Sequence, residues 1–200
     1  MKRISLMTAF LAPVAAVSLA GCGVNSIPTA EEAAKAKWAD VQAAYQRRAS
    51  LIPNLVSTVK GAAASEERIL TGVTEARASA SQIQVTGEQL TDPQAMARFA
   101  EAQNRLTLSL QRLQEAYPQL QSQGNFKTLM DQLEGTENRI NIAIRDYNSA
   151  VQAYNTEIRT FPSVIGANVI YGAKPMATFQ ATTPGADQAP NVNFDTNTAG

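Results

Sequence analysis

The strongest constraint on this chain is a run of apolar residues that recur at alternating spacings of three and four. This spacing keeps one face of an α-helix apolar, whereas a half-buried β-strand alternates with period two. The members of the stripe are Phe126, Met130, Leu133, Glu137, Ile140, Ile144, Tyr147, Val151, Tyr154, Ile158 and Phe161. At 1.5 Å per residue, the predicted helix is about 54 Å long.

Three further stripes precede this one. They comprise Trp38, Val41, Tyr45 and Ile52; then Val59, Ala62, Glu66, Ile69, Val73, Ala76, Ala80 and Ile83; then Met96, Phe99, Gln103, Leu106, Leu110, Leu113 and Tyr117. Pro53 separates the first two, and a proline removes a backbone donor and clashes with the preceding turn. Short connections between long amphipathic helices make neighbours antiparallel. The sequence therefore predicts an all-α, up-and-down four-helix bundle whose first two helices meet at a Pro53 kink.

Capping residues and prolines predict where these helices begin and end. The predicted starts are Thr29 with Glu32 in a capping box, Ser50 ahead of Pro53, and Asp92 followed by Pro93. Pro118 and Gly124 bracket a connection, and Pro162 ends the last helix. The first helix could form a stalk, but Trp38 and Tyr45 are large enough to need covering, which favours packing.

The composition divides the chain into a signal peptide (1–21), a tether (22–29), a helical domain (30–180) and a tail (181–200). Residues 163–180 are apolar but aperiodic, which predicts an extended segment packed along the bundle. The tail is rich in Thr, Ala, Pro, Asn and Asp, and we expect it to be disordered.

The N-terminal segment has the form of a bacterial lipoprotein signal. Lys2 and Arg3 precede a mostly apolar run that is shorter than a spanning helix requires. The run ends in Leu19-Ala20-Gly21-Cys22, which predicts that the Cys22 thiol takes a diacylglyceryl group. Gly23 favours the outer membrane if the host is Gram-negative. An ordinary secretory signal and an uncleaved anchor helix are the alternatives.

The composition excludes many functions. The chain has no histidine and one cysteine, which removes the commonest metal ligand and every Ser-His or Cys-His pair. Basic and acidic residues number 17 each, so no positive surplus exists for a nucleic-acid face. We expect no catalytic, cofactor-binding or metal-binding residues, and no nucleic-acid partner.

Polar residues that interrupt the stripes are the next candidates. Glu66, Gln103 and Glu137 occupy apolar positions, and an antiparallel pairing places Gln103 and Glu137 within about one helical turn. Carboxylates in a bundle core can bind metals, but such sites also use histidine, so a register-fixing network linked by arginine is favoured. Arg47 and Arg48 are expected on a solvated face, with a docking patch beside Pro53 as the alternative; Asn54 is a further candidate there.

A repeated Tyr-Asn pair is the last candidate site. Tyr147-Asn148 and Tyr154-Asn155 are seven residues apart, so both tyrosines share one stripe and both asparagines flank it. We expect them to hydrogen-bond a neighbouring helix, with a seam for a partner helix as the alternative. Replacing the tyrosines with phenylalanine should cost more stability than replacing the asparagines with alanine, whose helix propensity is better.

Several blocks of this sequence resemble the LemA family of bacterial envelope proteins. They are residues 38–42 (WADVQ), 46–56 (QRRASLIPNLV), 58–61 (TVKG), 73–77 (VTEAR), 117–120 (YPQL), 133–140 (LEGTENRI), the two Tyr-Asn pairs and Phe161-Pro162. The resemblance implies a four-helix bundle at a membrane surface, without established enzymatic activity. The chain departs from the family pattern in its lipobox, where many members keep a membrane helix, and in Ser50, where aspartate is usual.

These observations favour a non-enzymatic, lipid-anchored scaffold or adaptor for other membrane or envelope proteins. A binding module for an apolar ligand or lipid held within the bundle is the alternative. An enzyme is the least favoured interpretation, given the missing side chains.

Overall fold

The computed structural model describes residues 25–62 and 67–180, and this part of the chain is helical without a β-strand. The all-α prediction is confirmed. Five α-helices are present in these ranges: α1 (Ser26–Ala62), α2 (Glu67–Gln82), α3 (Pro93–Ala116), α4 (Gly124–Glu157) and the short α5 (Ser163–Gly166). The predicted signal peptide, Cys22, Glu66 and the tail 181–200 lie outside the described residues.

The long helices pack in pairs. Helix α1 lies along α4, α2 packs on α3, and α1 also contacts α2. One group of buried apolar residues draws on all four long helices. In the second group, α2 contributes no fully buried residue, and Val85, Leu90, Met176 and Phe179 contribute instead. The C-terminal segment is therefore part of the core.

Pro53 does not separate two helices, so the prediction that the first two helices meet at this residue is wrong. Helix α1 continues through Pro53 to Ala62. A proline at this position leaves the carbonyl of Ala49 without its intrahelical donor. The Arg77 Nε of α2 donates to that carbonyl at 2.8 Å, while the Ser50 hydroxyl donates to the Arg47 carbonyl rather than capping a new helix. A neighbouring helix thus supplies the hydrogen bond that Pro53 removes.

The predicted helix starts differ in outcome. Helix α1 begins at Ser26, ahead of the predicted capping box, and the Thr29 hydroxyl donates to the Asn25 carbonyl instead. The start at Asp92 is confirmed, because its carboxylate accepts from the Gln94 N–H at 2.9 Å. The expected packing of the first helix is also confirmed: Trp38 is 2 % exposed. No helix in the described ranges is long and apolar enough to cross a membrane.

Helix α4 ends earlier than its apolar stripe predicts. The helix ends at Glu157, Ile158 is buried, and Phe161 is 80 % exposed although it continues the spacing. Residues 163–171 form helical turns rather than the predicted extended chain, starting with a 2.8 Å hydrogen bond from the Val164 N–H to the Thr160 carbonyl. Gly172 adopts a left-handed conformation, and residues 173–180 then continue without helix or strand and pack on the helices through Met176 and Phe179.

Candidate functional site

The first candidate site is centred on Arg48, which lies on the buried face of α1. Its position continues the three–four spacing from Val41 and Tyr45 to Ile52, so its side chain enters the core with theirs. Arg48 is 1 % exposed. The prediction of a solvated Arg48, with a surface docking patch as its alternative, is wrong for this residue. Its burial could have been predicted from the sequence, because Arg48 occupies a position on the apolar stripe, where a charged residue is uncommon.

The Arg48 guanidinium is surrounded by polar groups from two other helices, α3 and α4. One terminal nitrogen donates to Glu137 Oε1 at 2.6 Å and to the Thr107 hydroxyl at 3.1 Å. The other donates to the side-chain oxygen of Gln103 at 2.9 Å, and Gln103 Nε2 donates to the Ala80 carbonyl of α2 at 3.2 Å. We call Arg48, Gln103, Thr107 and Glu137 the Arg48 cluster, which connects α1, α2, α3 and α4.

Two further features describe the electrostatics of this cluster. The guanidinium carbon lies 5.0 Å from the centroid of the Tyr45 ring, a cation–π geometry. Burial raises the pKa of the Tyr45 hydroxyl to about 12, an effect that the positive Arg48 partly opposes. The Arg48 Nε lies buried without a hydrogen-bond partner, so the cluster is held at some cost in free energy.

The geometry of the cluster opposes metal binding. Glu137 already faces the Arg48 guanidinium, and a cation at that carboxylate would face an adjacent positive charge. Within residues 25–62 and 67–180, no group of three or more acidic or cysteine side chains could hold a metal ion. The cluster can therefore fix how the helices align, the role that the sequence favoured.

The remaining candidates near Pro53 are exposed. Arg47 and Asn54 both face away from the core, and the Asn54 carbonyl accepts from the Thr58 hydroxyl within α1. A partly open groove of about 240 Å³ lies nearby, with Gln42, Tyr45 and Phe99 in its lining. This volume is below the roughly 300–1,000 Å³ of typical small-molecule sites.

The second candidate site is formed by the two Tyr-Asn pairs, which bind the extended C-terminal segment. We call Tyr147, Asn148, Tyr154 and Asn155 the ladder, and residues 173–180 the strap. Asn148 donates to the carbonyl of Phe179 and accepts from its N–H, both at 2.8 Å. Asn155 does the same with Met176, both at 2.9 Å.

The tyrosines extend this pattern. The Tyr147 hydroxyl donates to the Ala177 carbonyl at 2.8 Å, and the Tyr154 hydroxyl donates to the Lys174 carbonyl at 3.1 Å. Burial raises the pKa of both hydroxyls, so they remain protonated donors at neutral pH. The prediction that the pairs bind a neighbouring helix is wrong, since every one of these bonds goes to the strap backbone.

The spacing of the ladder follows from the geometry of its two elements. Seven residues of α-helix rise about 10.5 Å, and three residues of extended chain advance about 10 Å. Asn148 and Asn155 are seven apart, and their partners Phe179 and Met176 are three apart in the opposite direction. Each asparagine amide offers one donor and one acceptor side, as a neighbouring β-strand would. The heptad repeat thus fits an antiparallel extended chain.

Apolar contacts complete the docking of the strap. The ring of Phe179 packs against Trp38, Tyr45 and Phe99 with centroid separations of 5.4, 6.3 and 5.7 Å. The Ala177 N–H donates to the Leu90 carbonyl at 2.8 Å on the other side of the strap. The strap is therefore held by backbone hydrogen bonds on two sides and by an aromatic anchor.

A third polar group, which the sequence analysis missed, joins the start of α1 to the end of α4. The Glu157 carboxylate accepts hydrogen bonds from the hydroxyls of Ser26 and Ser163. These bonds lower the pKa of Glu157 below its usual value near 4.5. Because Ser26 is distant in sequence, no local spacing indicated this contact.

The fold and these sites define a class: over residues 25–62 and 67–180 the protein is helical, and its last long helix, α4, binds the chain's own extended segment 173–180 through paired tyrosines and asparagines. A model described as the LemA family matches residues 37–194. This chain belongs to the LemA family, as the sequence blocks indicated.

Two curated relatives come from Paramagnetospirillum magneticum: magnetosome protein MamQ 1 and magnetosome protein MamQ 2. Each is 28 % identical to this chain over 161 residues, with 69 % of this chain and 58 % of the relative covered. This chain therefore spans little more than half the length of these relatives. The description "magnetosome protein" applies to the relatives.

Proposed function

We propose that this protein is a lipid-anchored, non-enzymatic member of the LemA family that serves as a scaffold or adaptor for other envelope or membrane proteins. The observation that carries the proposal is Leu19-Ala20-Gly21-Cys22 after a cationic and apolar leader. The body would be an antiparallel four-helix bundle facing outside the cytoplasm, on the outer membrane in a Gram-negative host. Family membership supports an envelope-associated helical protein.

The polar sites support a scaffold more than a catalyst. The Arg48 cluster and the ladder direct their hydrogen bonds to other parts of the same chain, and both make the body rigid. A rigid body presents one fixed surface, which lowers the entropy cost of binding a partner. An apolar ligand within the bundle has weaker support, because the groove beside Tyr45 is small and two larger grooves, of about 350 and 440 Å³, are more open to solvent.

Metabolic labelling with an alkyne fatty acid in a bacterial host tests the attachment. The wild-type chain should be labelled and processed, whereas Cys22→Ser should stay an unlabelled precursor. A matched control moves the thiol by combining Cys22→Ser with Asn25→Cys, and it should also stay unlabelled. Equal labelling of wild type and Cys22→Ser would contradict the lipid anchor.

Crosslinking in the native host tests the scaffold role. Partners captured by the wild-type chain should be membrane or envelope proteins, and their recovery should fall with Cys22→Ser at equal protein level. If the wild type and Cys22→Ser recover the same proteins in equal amounts, the anchored-scaffold proposal is wrong.

A further inference from the structure

Large apolar side chains are exposed together at one end of the molecule, just after α4. Within residues 161–171, five of them face solvent: Phe161, Ile165, Val169, Ile170 and Tyr171. Phe161 and Val169 are 80 % and 79 % exposed. We call these five residues the basal patch. A concentration of apolar surface of this kind is typical of a contact with a membrane or a partner.

The start of the described chain lies at the same end. Ser26 shares the Glu157 carboxylate with Ser163, so the first turn of α1 adjoins the segment that carries the patch. Cys22 precedes Ser26 by four residues, which span at most about 14 Å when fully extended. A lipid attached to Cys22 would therefore hold the bilayer surface close to the basal patch.

The charges around the patch also suit a membrane surface. Between Ile158 and Gln180 the chain contains Arg159 and Lys174 but no acidic residue, and the carboxylate of Glu157, which directly precedes this range, accepts hydrogen bonds from Ser26 and Ser163. In the first turns of α1, Glu31 and Glu32 share one basic partner, Lys35. Exposed cations beside apolar side chains, with a tyrosine among them, match the boundary between acyl chains and anionic headgroups.

We propose that the basal patch inserts into the interface of the bilayer that holds the protein, as a second membrane contact beside the lipid. This inference rests on the proposed attachment at Cys22. Two contacts fix an orientation that a single flexible attachment leaves free, so α4 would be held with its N-terminal end away from the membrane.

Site-specific fluorescence on the full chain tests this contact. Acylated Cys22 has no free thiol, so Val169→Cys introduces one site for an environment-sensitive maleimide dye. The labelled lipoprotein is placed in vesicles of phosphatidylethanolamine and phosphatidylglycerol that contain a doxyl-lipid quencher. The matched control is Gln121→Cys, an exposed position before α4 and about 50 Å away along that helix.

We expect emission from the Val169→Cys dye to shift to the blue and to lose most of its intensity with the quencher, while the Gln121→Cys dye is unchanged. Water-like, unquenched emission at Val169→Cys would contradict the membrane contact, as would a blue shift that grows with protein concentration but resists the quencher, which indicates a second copy. Dye uptake by the wild-type chain would instead contradict the attachment at Cys22, whatever the emission at position 169.

Discussion

The guanidinium of Arg48 is almost fully removed from water, and a charge in that position destabilises a protein unless partners surround it. Glu137 supplies the negative charge, and Gln103 and Thr107 supply neutral acceptors. Each comes from a different turn or helix, so the acceptors converge only when the helices are correctly aligned. The cluster therefore favours one alignment over others.

Replacing Glu137 with alanine should reveal this requirement. The Glu137→Ala variant leaves a buried guanidinium without its counter-ion, and we expect the free energy of unfolding to fall by about 1–3 kcal/mol. The Glu137 side chain is 44 % exposed, so water replaces part of the lost interaction. Urea denaturation measures the change. Exposed Glu134→Ala on the same helix is the control, and equal midpoints for the two variants would contradict the role of the cluster.

The lowered pKa of Glu157 leads to a prediction about how stability depends on pH. Its lowered pKa means that the folded state binds this proton less readily than the unfolded state. The contribution to stability is therefore complete above the usual pKa near 4.5 and is lost as the pH falls through the lowered value. Removing one donor in Ser163→Ala should raise the Glu157 pKa toward its usual value. Carboxyl chemical shifts followed by NMR through acid titration measure this, and an unchanged pKa would refute the explanation.

At the scale of elements, α4 and the strap recognise each other through side chain and backbone. The prediction that the tyrosines matter more than the asparagines changes once the partners are known. Each asparagine makes two hydrogen bonds to one strap residue, whereas each tyrosine donates one. The loss of both asparagine bonds outweighs the gain in helix propensity that alanine brings.

We therefore expect the loss of two hydrogen bonds in Asn155→Ala to lower the free energy of unfolding by about 1–3 kcal/mol. The better helix propensity of alanine should offset up to about 0.7 kcal/mol of this loss. Tyr154→Phe should cost about 0.5–1.5 kcal/mol. The control is Asn138→Ala, an exposed asparagine on the same helix, which should be neutral or slightly stabilising. Denaturation midpoints rank the three variants, and a Tyr154→Phe loss larger than that of Asn155→Ala would restore the original expectation.

At the scale of the whole molecule, the strap closes the core at the end where α2 contributes no fully buried residue. Phe179 occupies the centre of an aromatic group that includes Trp38, Tyr45 and Phe99. The strap, which follows α4, is thus required to cover Trp38 and Tyr45 of α1.

Phe179→Ala should destabilise the protein by about 3–5 kcal/mol, because it removes a buried ring from a packed group. The emission of Trp38 should shift to the red, since Phe179 covers one side of its ring. Phe161→Ala is a matched control: the ring is exposed, and its loss should change stability by no more than about 0.5 kcal/mol. Thermal unfolding and tryptophan fluorescence measure both, and similar melting temperatures would show that the strap is dispensable.

The sequence alone was sufficient to predict that the described part of the chain is helical and which faces of α3 and α4 are buried. Every predicted stripe residue of α3, from Met96 to Leu113, is buried. Periodicity is a property of one helix, and a neighbour is needed only to cover the apolar face it defines. The same reasoning placed the helix start at Asp92, because a cap depends on adjacent residues.

Only the tertiary structure decided which groups meet. The Arg77 that replaces the donor lost at Pro53, the carboxylate that faces Arg48 and the strap that binds Asn148 and Asn155 are all distant in sequence. Hydrogen-bond partners depend on which elements become neighbours, and a spacing within one helix carries no information about that. Phe161 shows the converse: it continues the α4 stripe, yet the helix ends before it, and no element of the described part of the chain covers its ring.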